Sequence, residues 1–334
     1  MKQKYFVYQL TYVNPLLKAL KNSDISVEKL IKISKLHHFD LSDSQKYIPS
    51  EVLYDFLLLA RSHSKTTNLI APCYNYFKVS ELGDHGDYIS KLPILYQVLQ
   101  QFIVHKSMFQ TNTQNDLRIE NGIAQFSFTF LDKYSAGRKI AENMYLAIIL
   151  QTFQLFGGQN WIPLELHVPY RLISDIQPML PKGEYIIRLN QKKFAILFSQ
   201  PLLFKNRHTT PSELKKPSIL GHTNRSFVTT IEKVLNSYKP GYIPSLKDLS
   251  NHFNTSESSI KRCLKSEKAK FSNILERILF KKAANLLSNS NLNIYLIGEH
   301  LGYSDSPNFI RSFKKWSGTT PGIYRNSMLK QEKR

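Results

Sequence analysis

Residues 294–316 constrain this chain more than any other stretch, because a glycine and a pair of phenylalanines leave one compact arrangement open to them. Ile294, Ile297 and Leu301 recur at helical spacing, and Gly302 then stands where a helix C-terminus needs a positive φ. Ser304 or Asp305 is suited to cap a second helix, on which Phe309 and Phe313, four apart, share the face that packs on the first. The opposite face carries Ser306, Asn308 and Arg311, with Lys314 and Lys315 in the last turn. Short polar groups followed by cations suit a helix whose N-terminal half meets base edges while its surroundings neutralise phosphates.

The same layout occurs earlier. Leu246, Leu249 and Phe253 form the buried stripe of a short helix, Asn254 and Thr255 make a turn, and Ser256 caps a helix through Ile260 and Leu264. Its outward side shows Ser258, Lys261 and Arg262. Arg262 follows Ile260 by two residues as Arg311 follows Phe309, so both helices offer an arginine from an equivalent position. Two helix-turn-helix units, at about 244–265 and 293–316, are the economical reading. Between them, residues 271–288 place Phe271, Ile274, Leu275, Ile278, Leu279, Ala283, Leu286 and Leu287 on one side, which fits a linking helix that fixes their separation.

With these residues in view, the segment resembles the DNA-binding domain of the AraC/XylS family of transcriptional regulators. Leu301, Gly302, Tyr303, Ser304 and Asp305, then Phe309, Arg311, Phe313, Lys314, Lys315, Gly318, Thr320, Pro321, Tyr324 and Arg325 keep the order and spacing of that family's second unit. Two residues depart from it. Gly298 stands where a small helix former is usual, and Pro307 falls on the DNA-facing helix, in the first turn where its missing N–H has no partner anyway.

The formal net charge is +20 over 334 residues, and half of the excess lies in the last 109, which makes an anionic partner the expectation. Cys73 and Cys263 fall in separate domains, each reading as a small packed hydrophobe, so a disulfide framework is not expected. No apolar run reaches a membrane span and the first residues lack a signal-peptide core, so the expectation is a cytoplasmic protein without a membrane partner.

The N-terminal part reads as short helices at 15–22 and 26–34, a longer one opened by Ser50, and another from 93 to about 106. Alternating apolar residues on either side of Asn121-Gly122 predict a hairpin. Helix returns at 136–156 and closes at Gly157-Gly158. A strand at 163–168, a helix at 169–180 and strands at 184–190 and 194–198 complete an α+β domain. The DHGDYI segment at 84–89 and the IPLELHVPY phrase at 162–170 make this order similar to the arabinose-binding-type N-terminal domain of one branch of the same family. That resemblance implies a module that binds a small effector or mediates dimerisation, and it carries no ligand over.

Residues 206–225 are polar, hold Pro211, Pro217 and Gly221, and read as a linker. The expected organisation is therefore two-domain: an α+β regulatory domain at 1–205, the linker, and an all-α DNA-binding domain at 226–334 whose two helix-turn-helix units are joined by the linking helix.

Enzyme readings find no support: His37 and His38 are adjacent, no HExxH, CxxC or GxSxG is present, and Gly157-Gly158 lacks the lysine of a phosphate loop. Asp84, His85 and Asp87 read as a turn rather than a metal site. The expected function is sequence-specific regulation of transcription on double-stranded promoter DNA. Ser256, Ser258, Lys261, Arg262, Ser306, Asn308 and Arg311 supply contacts, and Lys314 and Lys315 grip phosphates. No cofactor, metal or catalytic residue is expected. RNA polymerase, a small-molecule effector and a second copy of the chain are further candidate partners. Two alternatives stay open: a non-specific architectural DNA binder, and a ligand-binding or enzymatic module with an appended DNA-binding domain.

Overall fold

The computed structural model describes residues 5–21, 26–64, 68–105, 109–207 and 226–331. They form two compact units, one of Met1–Leu36 with Val52–Thr223, the other of His37–Glu51 with Asn224–Arg334. Most of the expected linker, 208–225, lies outside the described residues.

Up to residue 207 the elements are β1 (Val7–Gln9), α1 (Asn14–Lys21), α2 (Val27–Ile33), β2 (Tyr47–Pro49), α3 (Ser50–Ser62), α4 (Gly83–Ser90), α5 (Leu95–Val104), β3 (Thr113–Glu120), β4 (Ile123–Phe130), α6 (Ala136–Gly157), β5 (Glu165–His167), β6 (Ile186–Arg188) and β7 (Phe194–Ser199). Strands β3 to β7 make a five-stranded sheet in the order β3-β4-β7-β5-β6. Asn121 and Gly122, with φ of 51° and 79°, turn β3 into β4 as the hairpin signal requires, and every neighbouring pair is antiparallel except β5 with β6.

Helix α6, capped by Ser135, is buried nearly all round. Tyr145 meets Phe128 edge-on at 4.8 Å and Phe153 meets Phe198 at 4.8 Å, so this helix covers one face of the sheet. Gly137 lets α6 cross α3 closely, since a Cβ there would come within 2.6 Å of the Tyr54 carbonyl.

Two expectations fail in this unit. Residues 169–180 do not form an α-helix; a single 3-10 turn, Gln177–Met179, is built there around Pro178, which has no N–H to donate to a longer helix. Residues 84–87 are not a turn but the start of α4, where Gly86 is required because a Cβ would meet the Val79 carbonyl at 2.2 Å.

The second unit contains α7 (Phe227–Asn236), α8 (Leu246–His252), α9 (Glu257–Ser266), α10 (Phe271–Asn289), α11 (Ile294–Leu301), α12 (Ser306–Ser317) and α13 (Pro321–Gln331). Its core gathers Leu279, Ala283 and Leu287 of α10 with Ile297 and Leu301 of α11 and Phe309 and Phe313 of α12. Arg325 of α13 donates to the Leu287 carbonyl in the last turn of α10 and to the Leu292 carbonyl in the connection that follows it.

This unit also includes a strap from the N-terminal half, residues 37–51. Phe39 is 3% exposed and stacks on Tyr238 at 4.8 Å, the Asp40 amide donates to the Ser237 carbonyl, and the Tyr47 amide donates to Ser237 Oγ. His252, at the end of α8, links Tyr238 and His38 through its two ring nitrogens, at 2.7 and 3.1 Å. Within the strap, Lys46 and the Ser42 hydroxyl outweigh burial and hold Asp40 down at about 2.

Two outcomes follow for stability. Phe39→Ala should lower the unfolding free energy of the second unit by about 3 kcal/mol, read by urea denaturation. Gly302→Ala should cost about 1 kcal/mol or more, read the same way, because φ is 95° and the added Cβ would come within 2.9 Å of the Ile243 backbone nitrogen.

Candidate nucleic-acid interface

Each outward helix is fixed by the same devices: a capped start, a preceding helix and an apolar back. In the first unit, Ser245 and Asp248 form a reciprocal capping box at the start of α8. Thr255 N–H bonds the Ser250 carbonyl, Asn254 takes a φ of 47°, and the chain turns into α9. Ser256 Oγ accepts from the Ser259 amide at 3.2 Å and pairs with the Ser259 hydroxyl, so this hydroxyl is spent on the helix start. Leu249, Ile260 and Leu264 are buried behind α9, while Ser258, Lys261 and Arg262 are exposed.

In the second unit Asn293 caps α11, and the helix ends in a Schellman motif: Gly302 N–H bonds the Glu299 carbonyl and Tyr303 N–H bonds the Gly298 carbonyl, both at 2.9 Å. Gly298 faces Phe309; a Cβ there would lie 3.2 Å from the Phe309 Cβ. The glycine that departs from the family pattern thus sits where α11 and α12 approach closely. Asp305 caps α12, accepting from the Asn308 amide at 2.7 Å, and Pro307 occupies the first turn.

The Asp305 cap extends onto the outer face. Asn308 Nδ2 donates to Asp305 Oδ2 at 2.5 Å, and Arg311 Nη2 donates to Asn308 Oδ1. Asp305, Asn308 and Arg311 form one hydrogen-bonded row at i, i+3 spacing, with Arg311 exposed and Asn308 and Ser306 half-buried. The Asn308 amide and the Arg311, Ser304 and Asn308 side chains hold the Asp305 carboxyl below the usual carboxylate range. This oriented row was not foreseen, although Asp-x-x-Asn-x-x-Arg at helical spacing is its signal.

The lysines are placed less uniformly. Lys314 is exposed. Lys315 bonds Glu276 of α10 at 2.6 Å, and Lys261 lies 3.8 Å from Glu257, one turn earlier on α9. These pairs are open to water and worth no more than about 1 kcal/mol, so a phosphate can replace either carboxylate. Beside α9, an open cleft floored by Leu264 and Phe271 is rimmed by Lys261, Lys265, Lys268 and Lys270, three of which the motif reading did not single out. Lys270 gives the start of α10 no side-chain cap, so the free N–H groups of its first turn add to this positive surface.

Among the described residues, no group of three or more His, Cys, Asp or Glu side chains is arranged to hold a metal ion. No helix among them is long and apolar enough to cross a membrane. Cys263 is half-buried; Cys73 is buried, which pushes its thiol up to about 11.

The helix-turn-helix domain family matches residues 249–327, spanning α8 through most of α13. The chain is 34% identical over 89 residues to the ornithine utilization regulator of Pseudomonas aeruginosa, covering 27% of this chain and 26% of that one. It is 41% identical over 76 residues to the virulence regulon transcriptional activator VirF of Shigella flexneri, covering 23% and 29%. A longer, weaker likeness, 25% over 194 residues, joins it to the raffinose operon transcriptional regulatory protein RafR of Pediococcus pentosaceus, covering 58% and 62%. The chain thus spans between about a quarter and three fifths of the length of these relatives.

Asp305→Ala removes both the cap and the anchor of the row. It should lower the unfolding free energy by about 1 kcal/mol in urea denaturation. Asp305→Asn, which keeps an acceptor for the Asn308 amide, should recover most of that loss.

Proposed function

We propose that this chain, whose residues 249–327 match the helix-turn-helix domain family, is a cytoplasmic AraC-type regulator of transcription that reads promoter DNA with α9 and α12. One observation carries the reading: two capped helices, each backed by buried apolar residues, expose an arginine two residues after a buried anchor, Arg262 after Ile260 and Arg311 after Phe309. Such helices fit neighbouring major-groove segments about 10.5 bp apart.

In this reading Arg311 reads a base edge, its guanidinium oriented by Asn308 so that little freedom is lost on binding. Arg262, Lys261, Ser258 and Ser306 complete the polar surface. Lys314, Lys315 and the lysines of the cleft grip phosphates, and Ser256 serves through the start of α9 rather than through its hydroxyl. The domain division is proposed as 1–205, a linker at 206–225, and 226–334, with 37–51 serving the DNA-binding part. The N-terminal unit governs this activity by binding a small effector or by self-association.

Gel-shift titration against genomic promoter fragments tests the assignment. Arg311→Ala should weaken binding to the selected site by about 1 to 3 kcal/mol and relax preference at one base position. Lys314→Ala should weaken all sequences alike and flatten the salt dependence. Unchanged affinity and selectivity in Arg311→Ala would overturn the role given to α12.

A further inference from the structure

The first unit buries a constellation that DNA binding does not use. Asp132, in the loop after β4, and Glu142 of α6 have side chains only 6% and 5% exposed, and both lie against one guanidinium, that of Arg138. Arg138 Nε donates to Glu142 Oε1 at 2.9 Å and stands 3.7 Å from Asp132 Oδ1. Arg138 Nη1 donates to the Asp132 carbonyl, and Nη2 reaches both the Phe130 carbonyl and Glu142 Oε1, the latter at 2.8 Å. Lys139, the next cation along α6, is held by Asp175 at 2.6 Å. Among the described residues, these two carboxyl groups therefore share one cation, at a depth where an unbalanced charge is costly.

The hydrogen bonding leans the same way. Tyr54 donates to Asp132 Oδ2 and Tyr170 to Glu142 Oε2, each at 2.5 Å. Asn112 Nδ2 lies 3.1 Å from that Asp132 oxygen, 2.8 Å from the Tyr54 hydroxyl and 3.0 Å from that of Tyr8. Asn112 Oδ1 and Asp132 Oδ1 are buried without a hydrogen-bond partner among the described residues, and both are acceptors. Burial pushes both carboxyls up; Tyr54, Asn112 and Arg138 pull against it at Asp132, and Tyr170 and Arg138 at Glu142. Without a further cation, a proton is the remaining means of balance. Tyr134, 67% exposed and with its ring 6.0 Å from the Arg138 guanidinium carbon, marks where the constellation reaches the surface.

We propose that this constellation binds a small molecule carrying an ammonium group and at least one further donor, the ammonium supplying the missing charge to Asp132 and Glu142 and the donor meeting the Asn112 carbonyl. It is then the effector site of the N-terminal unit, an assignment that rests on the regulatory reading above. The tyrosine rings suit the same ligand, since ammonium groups are held by aromatic faces as well as by carboxylates.

Thermal unfolding of the full chain at constant ionic strength tests this with three probes: 4-amino-1-butanol, 1,4-butanediol and butyrate. At saturation the amino alcohol should raise Tm by about 3 °C while the diol and the acid leave it unchanged. Asp132→Asn and Glu142→Gln, which keep the shape and remove a charge, should each abolish the response and still bind promoter DNA in a gel shift. No shift with the amino alcohol, an equal shift with the diol, or a shift that persists in both variants would overturn the proposal. A chain that responds to the amine but binds no DNA selectively would retain the site and sink the regulatory reading instead.

Discussion

The packing of Phe309 and Phe313 against α10 and α11 is the interaction on which the helix-turn-helix unit depends. Both rings are fully buried, with Tyr324 5.3 Å from Phe313 and Phe309 close against Gly298. Burying two phenylalanines stabilises the unit by about 2 to 3 kcal/mol each, enough to fix how α12 rolls about its axis. That roll decides which residues face outward. With Phe309 and Phe313 inside, Arg311 and Lys314 are exposed.

The electrostatics of the outer face follow from that placement. An α-helix start attracts acceptors, so Asp305 serves as cap; Asn308, one turn on, bonds to it, and Arg311 bonds to Asn308. A guanidinium on such a row keeps fewer rotamers than a free one, while Lys314 remains a flexible point charge. Under the proposed function, directional base contact falls to the first and diffuse phosphate attraction to the second. Only the second should be strongly salt-dependent.

The C-terminal helices were legible because each local signal agreed with its neighbours. Ser256 and Asp305 cap, Asn254 and Gly302 adopt positive φ, and the apolar spacing between them has the helical period. The Asn121-Gly122 hairpin was legible for the same reason. What escaped the sequence depends on partners far along the chain. Nothing near Phe39 signals that Tyr238 and Ser237 will receive it, so the strap looked like part of the N-terminal domain. Nothing in the sequence around Asp132 and Glu142 signals that the fold buries both on one arginine. Residues 169–180 read as a helix, whereas Pro178, without an N–H to donate, leaves only a 3-10 turn there. Residues 84–87 read as a turn, whereas contact with the Val79 carbonyl is what demands Gly86 within a helix. In the interface the outward faces were readable, but the pairing of Lys315 with Glu276 was not, since it joins helices through the tertiary fold.

The central claim is that one rigid unit presents two helices to the same duplex. Hydroxyl-radical footprinting of the full chain on a selected promoter fragment tests it most directly. The account predicts two protected segments on one face of the DNA, centred about 10.5 bp apart, with the one assigned to α12 weakened in Arg311→Ala. A single protected segment, or uniform protection without a preferred position, would contradict it.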